Sequence, residues 1–354
     1  MRTFRSDNNA GLCPEALQAI IDADRLGHQV GYGDDECTAR AVSAFRDIFG
    51  EEVGVFFVPT GTIANALAVA CLTRPWERVL CHANSHWSYD ESTAPERFTG
   101  CRTTEIHALS SKLTPQDIER ATPSGRGDVH QPQPGALTIS NPTEFGEVYS
   151  PDETAALCEA AHALGYRVHV DGARFANAVA HLGCDPRDIT SRAGVEALSF
   201  GGTKNGLAFG EAVIFFPQDD DGGVFERATR EFPHQRKTAG ALLSKHRFVS
   251  APFEATLTSG AWLRHAAHAN SMADSLARGL RELGVEIPHR VQSNGVFAEL
   301  PAPVCDALRA AGQSFYPFED PSGRILSRLM CSFDTQPDDV QNFLGAARLH
   351  DAKR

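Results

Sequence analysis

The chain has 354 residues, 42% of them hydrophobic and 22% charged, with a formal net charge of −12. That length exceeds one comfortable core and predicts a large domain beside a smaller one. The acidic balance argues against a nucleic-acid or anionic-membrane partner, and the apolar runs are too short to span a bilayer. The first residues, MRTFRSDNNAG, lack the apolar stretch of a secretory signal. Nine cysteines are scattered without a C-x-x-C pair, so reduced cytoplasmic thiols fit better than disulfides or a zinc site. His265 and His268 in HAAHAN lack convincing ligand spacing, and no metal is expected.

In chain order, the strand candidates are EVGVFFVP, RVLC, TTEIHAL, GALTIS, YRVHVD, EALSF and EAVIFF. They read as near-continuous apolar runs, as strands covered on both faces do. The clearest helix between them is SPDETAALCEAAHALG. It offers Ser150 as N-cap, Pro151 in the first turn, Glu153 for a capping box and Gly165 at the end. Such alternation predicts an α/β class fold with a large, mostly parallel sheet. After about residue 250 one long helical pattern, FEATLTSGAWLRHAAHANSMADSLARGLREL, leads to VEI, NGVFAELP, a short helix, SFYPF, RLMCSFD and a last helix from Asp338. This reads as a smaller α+β domain. The expected organisation is an N-terminal segment 1–25 that packs with the small domain or bridges the two, a large domain 26–248 and a small domain 249–354.

Four stretches carry chemistry. In VFFVPTGTIANALAVACL a strand turns through Thr60, Gly61 and Thr62 into a helix. Free amides at a helix start attract a phosphate, although a threonine N-cap alone would also explain the turn. In CHANSHWSYDESTAPE, His86 could stack on a flat ring or move a proton, or be a hydrogen-bonded structural residue. In YRVHVDGARFANA, Asp171 ends a core strand, where ligands bind in open α/β sheets. Arg174, three residues on, can grip an oxyanion with its fork, or the two can be a cap and a surface arginine. In SFGGTKNGLAFGEAVIFF, Lys204 sits between two core strands. Lysine is seldom buried unless paired or chemically used, so the choice lies between an exposed hairpin and a Schiff-base lysine. Taken together, the order matches the needs of pyridoxal phosphate: anion site, stacking face, counter-charge and lysine.

These stretches, with SDN at 6–8, YGDDECTAR at 32–40, RKTAGALLSKHRF at 236–248, AWLRHA and RLMCSFDT, resemble the low-specificity L-threonine aldolases of the β-eliminating lyase family. That group lies within the aspartate-aminotransferase-like (type I) fold. The bacterial subgroup that includes L-phenylserine aldolases is especially similar. The resemblance runs from residue 6 to 335. It implies a lyase that splits L-β-hydroxy-α-amino acids into glycine and an aldehyde. Lys204 would hold pyridoxal 5′-phosphate, Asp171 would pair with its ring nitrogen, and His86 would stack on the ring. Thr60, Gly61, Thr62 and Thr203 would surround the phosphate. Ser6, Arg174 and Arg328 would hold the substrate carboxylate. A homotetramer with shared sites is implied, with Tyr32, Lys237 and Lys245 reaching a neighbouring subunit. Two departures stand out. NPTEFG replaces the Thr-His pair common in the wider family, offering Thr143 and Glu144. Ser92-Thr93 replaces Cys-Gly before Ala-Pro-Glu. The hydroxyl proton would then go to His86, to a bound water, or to Glu144.

Overall fold

The computed structural model describes residues 3–122, 127–219 and 222–351. A seven-stranded sheet is built from β1 (Gly54–Val58), β2 (Glu77–His82), β3 (Arg102–Ile106), β4 (Gln133–Ser140), β5 (Arg167–Gly172), β6 (Ala197–Gly201) and β7 (Glu211–Phe215), in spatial order β1-β7-β6-β5-β4-β2-β3. Strands β3, β2, β4, β5 and β6 pair in parallel, and β7 runs antiparallel between β6 and β1. β5, β6 and β7 are almost wholly buried, as their unbroken apolar runs require. The helix Pro151–Ala163 carries the expected capping box between Ser150 and Glu153.

The main core interlocks Phe45, Phe57, Phe200 and Phe253, with ring centroids 5.1–6.3 Å apart. Truncating such a ring costs about 3–5 kcal/mol. A second sheet, β8 (Gly295–Ala298), β10 (Ile325–Met330) and β9 (Tyr316–Glu319), is antiparallel. It covers a second core of Leu276, Leu280, Val296, Leu329 and Phe343.

Two details differ from the sequence reading. The long helical pattern is two helices, Arg247–Thr258 and Ala261–Glu282. They break at Gly260, whose φ of +68° suits glycine alone without strain. Residues 285–287, VEI, form no strand. The division expected at 248/249 falls inside the helix Arg247–Thr258, whose Val249, Phe253 and Leu257 belong to the main core. Ala266 still belongs to that core and Met272 to the second. The segment 1–25 touches both cores. Phe4 joins the second core and accepts a bond from the Met330 amide at 2.8 Å, while the helix Pro14–Arg25 packs against Arg247–Thr258.

Candidate active site

The parallel sheet brings scattered sequence positions to one edge. β1 runs into Thr60, β2 into His86, β4 into Glu144, β5 ends at Asp171–Gly172, and β6 leads into the turn Thr203–Asn205 that carries Lys204. β5 and β6 are neighbours, so Asp171 and Lys204 lie close enough for their charges to act on each other. The end of β6 is pressed onto the loop after β5. A Cβ on Gly201 would lie 2.2 Å from the Ala173 carbonyl oxygen, so only glycine allows that approach.

Asp171 is buried and fully bonded. Its Oδ1 accepts the Ala173 amide at 3.0 Å and its Oδ2 accepts the Asn65 amide at 2.8 Å. Burial alone would push its carboxyl up, but His86, Lys204 and the Ala173 amide hold it below the ordinary range. It is an anion in place for a positive partner. The same Asn65 Nδ2 donates to Glu91 Oε1 at 2.8 Å, and that oxygen lies 2.9 Å from His86 Nδ1. The ligand atoms of His86, Glu91 and Asp171 lie within 4.8 Å of one another. Burial opposes a charge on His86. The Glu91 contact, with Asp171 and Glu144 nearby, overcomes that and raises its pKa. Glu91 fixes which face the imidazole presents and leaves Nε2 as its working atom. Below this layer, buried His169 bridges Thr138 on β4 at 2.8 Å and Ser199 on β6 at 2.9 Å. Burial keeps His169 neutral, with its pKa down at about 4.

The two arginines differ. Asp7 grips Arg174 with both oxygens, to Nε at 2.7 Å and to Nη2 at 3.0 Å, and Asn294 adds a bond at 3.0 Å. Asp7 is buried, which raises its carboxyl, but Arg174 more than offsets this and brings it down to about 2. Arg328 lies on β10, with its guanidinium 5.3 Å from the Tyr316 ring centre and 5.5 Å from that of Phe318. Its Nε is buried without a hydrogen-bond partner among the described residues. Burial first, then nearby Arg174, lowers its pKa, with Asp7, Glu144 and Asp90 opposing. A buried fork without its own carboxylate suits an incoming one.

The helix Gly61–Leu72 starts at Thr60 with no side-chain cap bond, and a Cβ on Gly61 would meet nothing within 4 Å. No side chain caps its first amides. Thr203 Oγ1 lies 2.8 Å from Glu211 Oε1. Ser6 caps a short 3-10 turn by accepting the Asn8 amide at 3.2 Å. Glu144 lies among the charges of His86, Arg174 and Arg328. It lines a small pocket of mixed character with His82, Ser85, Thr143, Ile139 and Phe145 that has about 20 Å³ of room, enough for one water. Ser92 adopts a positive φ of 53°, and Thr93 precedes the helix Ala94–Thr99. Tyr32 is 52% exposed, its ring 5.1 Å from the Lys237 ammonium, and Lys237 and Lys245 are exposed.

Asn65, Glu91, Asp7 and Glu211 were not singled out from the sequence. Each left a signal. Asn65 is the one polar amide in an otherwise apolar helix run, and Glu211 is an acid opening a core strand. Asp7 and Glu91 lie within the resembling motifs SDN and DESTAPE.

The donor set fits a phosphorylated pyridine aldehyde. It offers uncapped helix amides over an open glycine, an ionised buried carboxylate, an imidazole and a half-buried lysine. Comparison with known proteins agrees. Residues 3–302 match the β-eliminating lyase family. The chain is 43% identical over 347 residues to a low specificity L-threonine aldolase of Pseudomonas sp. (strain NCIMB 10558), covering 98% of this chain and 96% of the other. A second such aldolase, from Pseudomonas aeruginosa, is also 43% identical, over 98% and 97%. A solved Leishmania major threonine aldolase superposes with a TM-score of 0.89 at 27% identity, over 99% of both chains. A Thermus thermophilus aspartate aminotransferase, at TM-score 0.68 and 17% identity over 96% and 94%, shares the fold.

Proposed function

This chain belongs to the β-eliminating lyase family, and from that membership and the site we infer a pyridoxal-phosphate-dependent lyase that splits L-β-hydroxy-α-amino acids into glycine and an aldehyde. The observation that carries the reading is the pairing of Lys204 with a buried, ionised Asp171 at adjacent strand ends. When bound, pyridoxal phosphate supplies a sink for the electron pair left by the breaking Cα–Cβ bond.

The chain's own groups then divide the work. Lys204 would hold the cofactor, and Asp171 would keep a proton on its ring nitrogen. His86, oriented by Glu91, would lie against the ring. Thr60, Gly61, Thr62 and Thr203 would surround the phosphate. Arg328 would take the substrate carboxylate as its missing partner, helped by Ser6 and by Arg174, which Asp7 holds rigid. That grip would fix how the substrate's Cα–Cβ bond is oriented. The β-hydroxyl proton needs an acceptor. His86 Nδ1 is already engaged by Glu91 at 2.9 Å. We assign the step to a water in the pocket beside Glu144, with Glu144 accepting the proton.

The substrates are threonine, allo-threonine and phenylserine types. The assembly is a homotetramer with sites shared between subunits. An exposed apolar strip of Leu17, Ile21, Leu26, Val30 and Tyr32 supports it. The compartment is the cytoplasm, in keeping with nine free thiols; among the described residues no helix is long and apolar enough to cross a membrane.

The test is incubation of the purified protein with L-threonine, L-allo-threonine and L-phenylserine. Glycine and the matching aldehyde are expected in equal amounts, and no glycine from any substrate overturns the reading. Glu144→Gln is expected to lower kcat while leaving KM near its starting value. An unchanged kcat would return the proton to His86.

A further inference from the structure

Glu211 is an acid that the mechanism above does not use. It opens β7, and its register partners are Val58, the last residue of β1, and Gly201, the last of β6. The antiparallel strand thus starts where two parallel strands end. One of those leads to Thr60 and the other to Lys204. Glu211 is buried at that junction. Its Oε2 accepts the Gly202 amide at 2.7 Å, and its Oε1 lies 2.8 Å from Thr203 Oγ1.

A threonine hydroxyl has one proton to give. With Glu211 ionised, Thr203 gives it to the carboxylate and has none for a phosphate. With Glu211 protonated on Oε1, the same 2.8 Å contact works in reverse. The carboxyl O–H donates to Thr203 Oγ1, and the threonine proton is freed for an arriving phosphate, its other acceptor being the Gly210 carbonyl at a weak 3.5 Å. The Gly202 amide keeps Oε2, so no heavy atom moves. The charges facing Glu211 are Lys204, which favours the anion, and Asp171, which disfavours it. Its strand neighbours Val58 and Gly201 bring none. Burial is the larger influence and raises the carboxyl to about 7, so either form is accessible near neutrality and an arriving dianion can decide between them.

We propose that Glu211 takes up a proton when the cofactor phosphate binds beside Thr203, and so turns the Thr203 hydroxyl from the carboxylate to the phosphate. Glu211 is a positioning residue, acting through Thr203. The inference rests on the reading above that Thr203 borders the phosphate.

The test is calorimetric titration of the full chain, freed of cofactor, at pH 8 in buffers of different ionisation enthalpy. Pyridoxal 5′-phosphate and pyridoxal are the two probes. Glu211→Gln mimics the neutral acid, since its amide can donate to Thr203 while its oxygen still accepts from Gly202. Wild type should take up about one proton more per bound pyridoxal phosphate than E211Q. Its affinity, relative to E211Q, should fall up to about tenfold per pH unit above neutrality. With pyridoxal, which has no phosphate, the difference should vanish. Thr203→Val should lose the extra proton too, and it serves as the comparison if E211Q does not fold. Equal proton counts with pyridoxal phosphate overturn the proposal, as does a difference that persists with pyridoxal. If no protein gains visible absorbance with pyridoxal phosphate, the cofactor reading itself falls, and this inference with it.

Discussion

The sheet edge and strand β10 face the same site with opposite habits. At the sheet edge three charged groups already have partners. Asp171 is held by Asn65 and Ala173, His86 by Glu91, and Arg174 by both oxygens of Asp7. On β10, Arg328 leans on two aromatic rings with a buried Nε unpaired. A buried charge without a partner costs folding energy. Three sheet-edge charges are therefore paired within the protein, whereas Arg328 would be completed by the substrate on the reading proposed above. The first arrangement suits a cofactor that stays, and the second a carboxylate that comes and goes.

The largest effect is expected at the sheet edge. Lys204→Ala should abolish the visible band of bound cofactor and cut kcat by about 10³-fold or more, read by absorbance and turnover. A variant that keeps both would remove the lysine from its assigned role. Next comes the contrast between the arginines. Arg328→Met should raise KM by roughly 10–100-fold through loss of a charge-assisted pair. Because that arginine has no internal partner, thermal unfolding should show no loss of stability. Asp7→Asn should do the reverse in stability. It strands the Arg174 guanidinium, and breaking such a buried pair costs about 3–5 kcal/mol, measurable by denaturant unfolding. If R328M destabilises as much as D7N, the two sides are not different in kind.

The Asp7 contact also sets an acid limit. Its pKa is depressed to about 2 from an ordinary 3.8. The stability it gives is present above the ordinary value and lost as pH falls from there through about 2. An acid titration of D7N should lack that component. The smallest effect is expected from Glu91→Gln. Without the carboxylate, the raised pKa of His86 should fall. The stability linked to the charged imidazole, present below its ordinary pKa and lost as pH rises through the folded value, should then be lost at lower pH. The basic limb of the kcat profile should follow. Its loss in kcat should stay below about 10²-fold, the lower bound for removing a general acid–base group outright. An unmoved profile would leave Glu91 with a purely structural role.

Much of this was written locally. The apolar runs of β4 to β7 announced strands covered on both faces. The Ser150–Glu153 box announced its helix, and the order Thr60, His86, Asp171, Lys204 announced a phosphate-bearing pyridine site, because backbone patterns and residue chemistry repeat over a few positions. Three things were not local. The single helix expected after residue 250 broke at Gly260, since a run of good helix formers does not reveal where a positive φ will interrupt it. Arg174 was legible as an anion gripper, but its first anion is Asp7, 167 residues away, a pairing that only the folded N-terminal segment creates. Glu91, Asn65 and Glu211 were visible as polar residues in apolar company, yet a buried polar group names no partner until the chain closes around it. The sequence by itself determined the strands and the cofactor chemistry, and singled out the lysine proposed to serve it. Tertiary structure alone decided which charges are already paired and which wait for a ligand, because pairing depends on distances across the fold that no local pattern encodes.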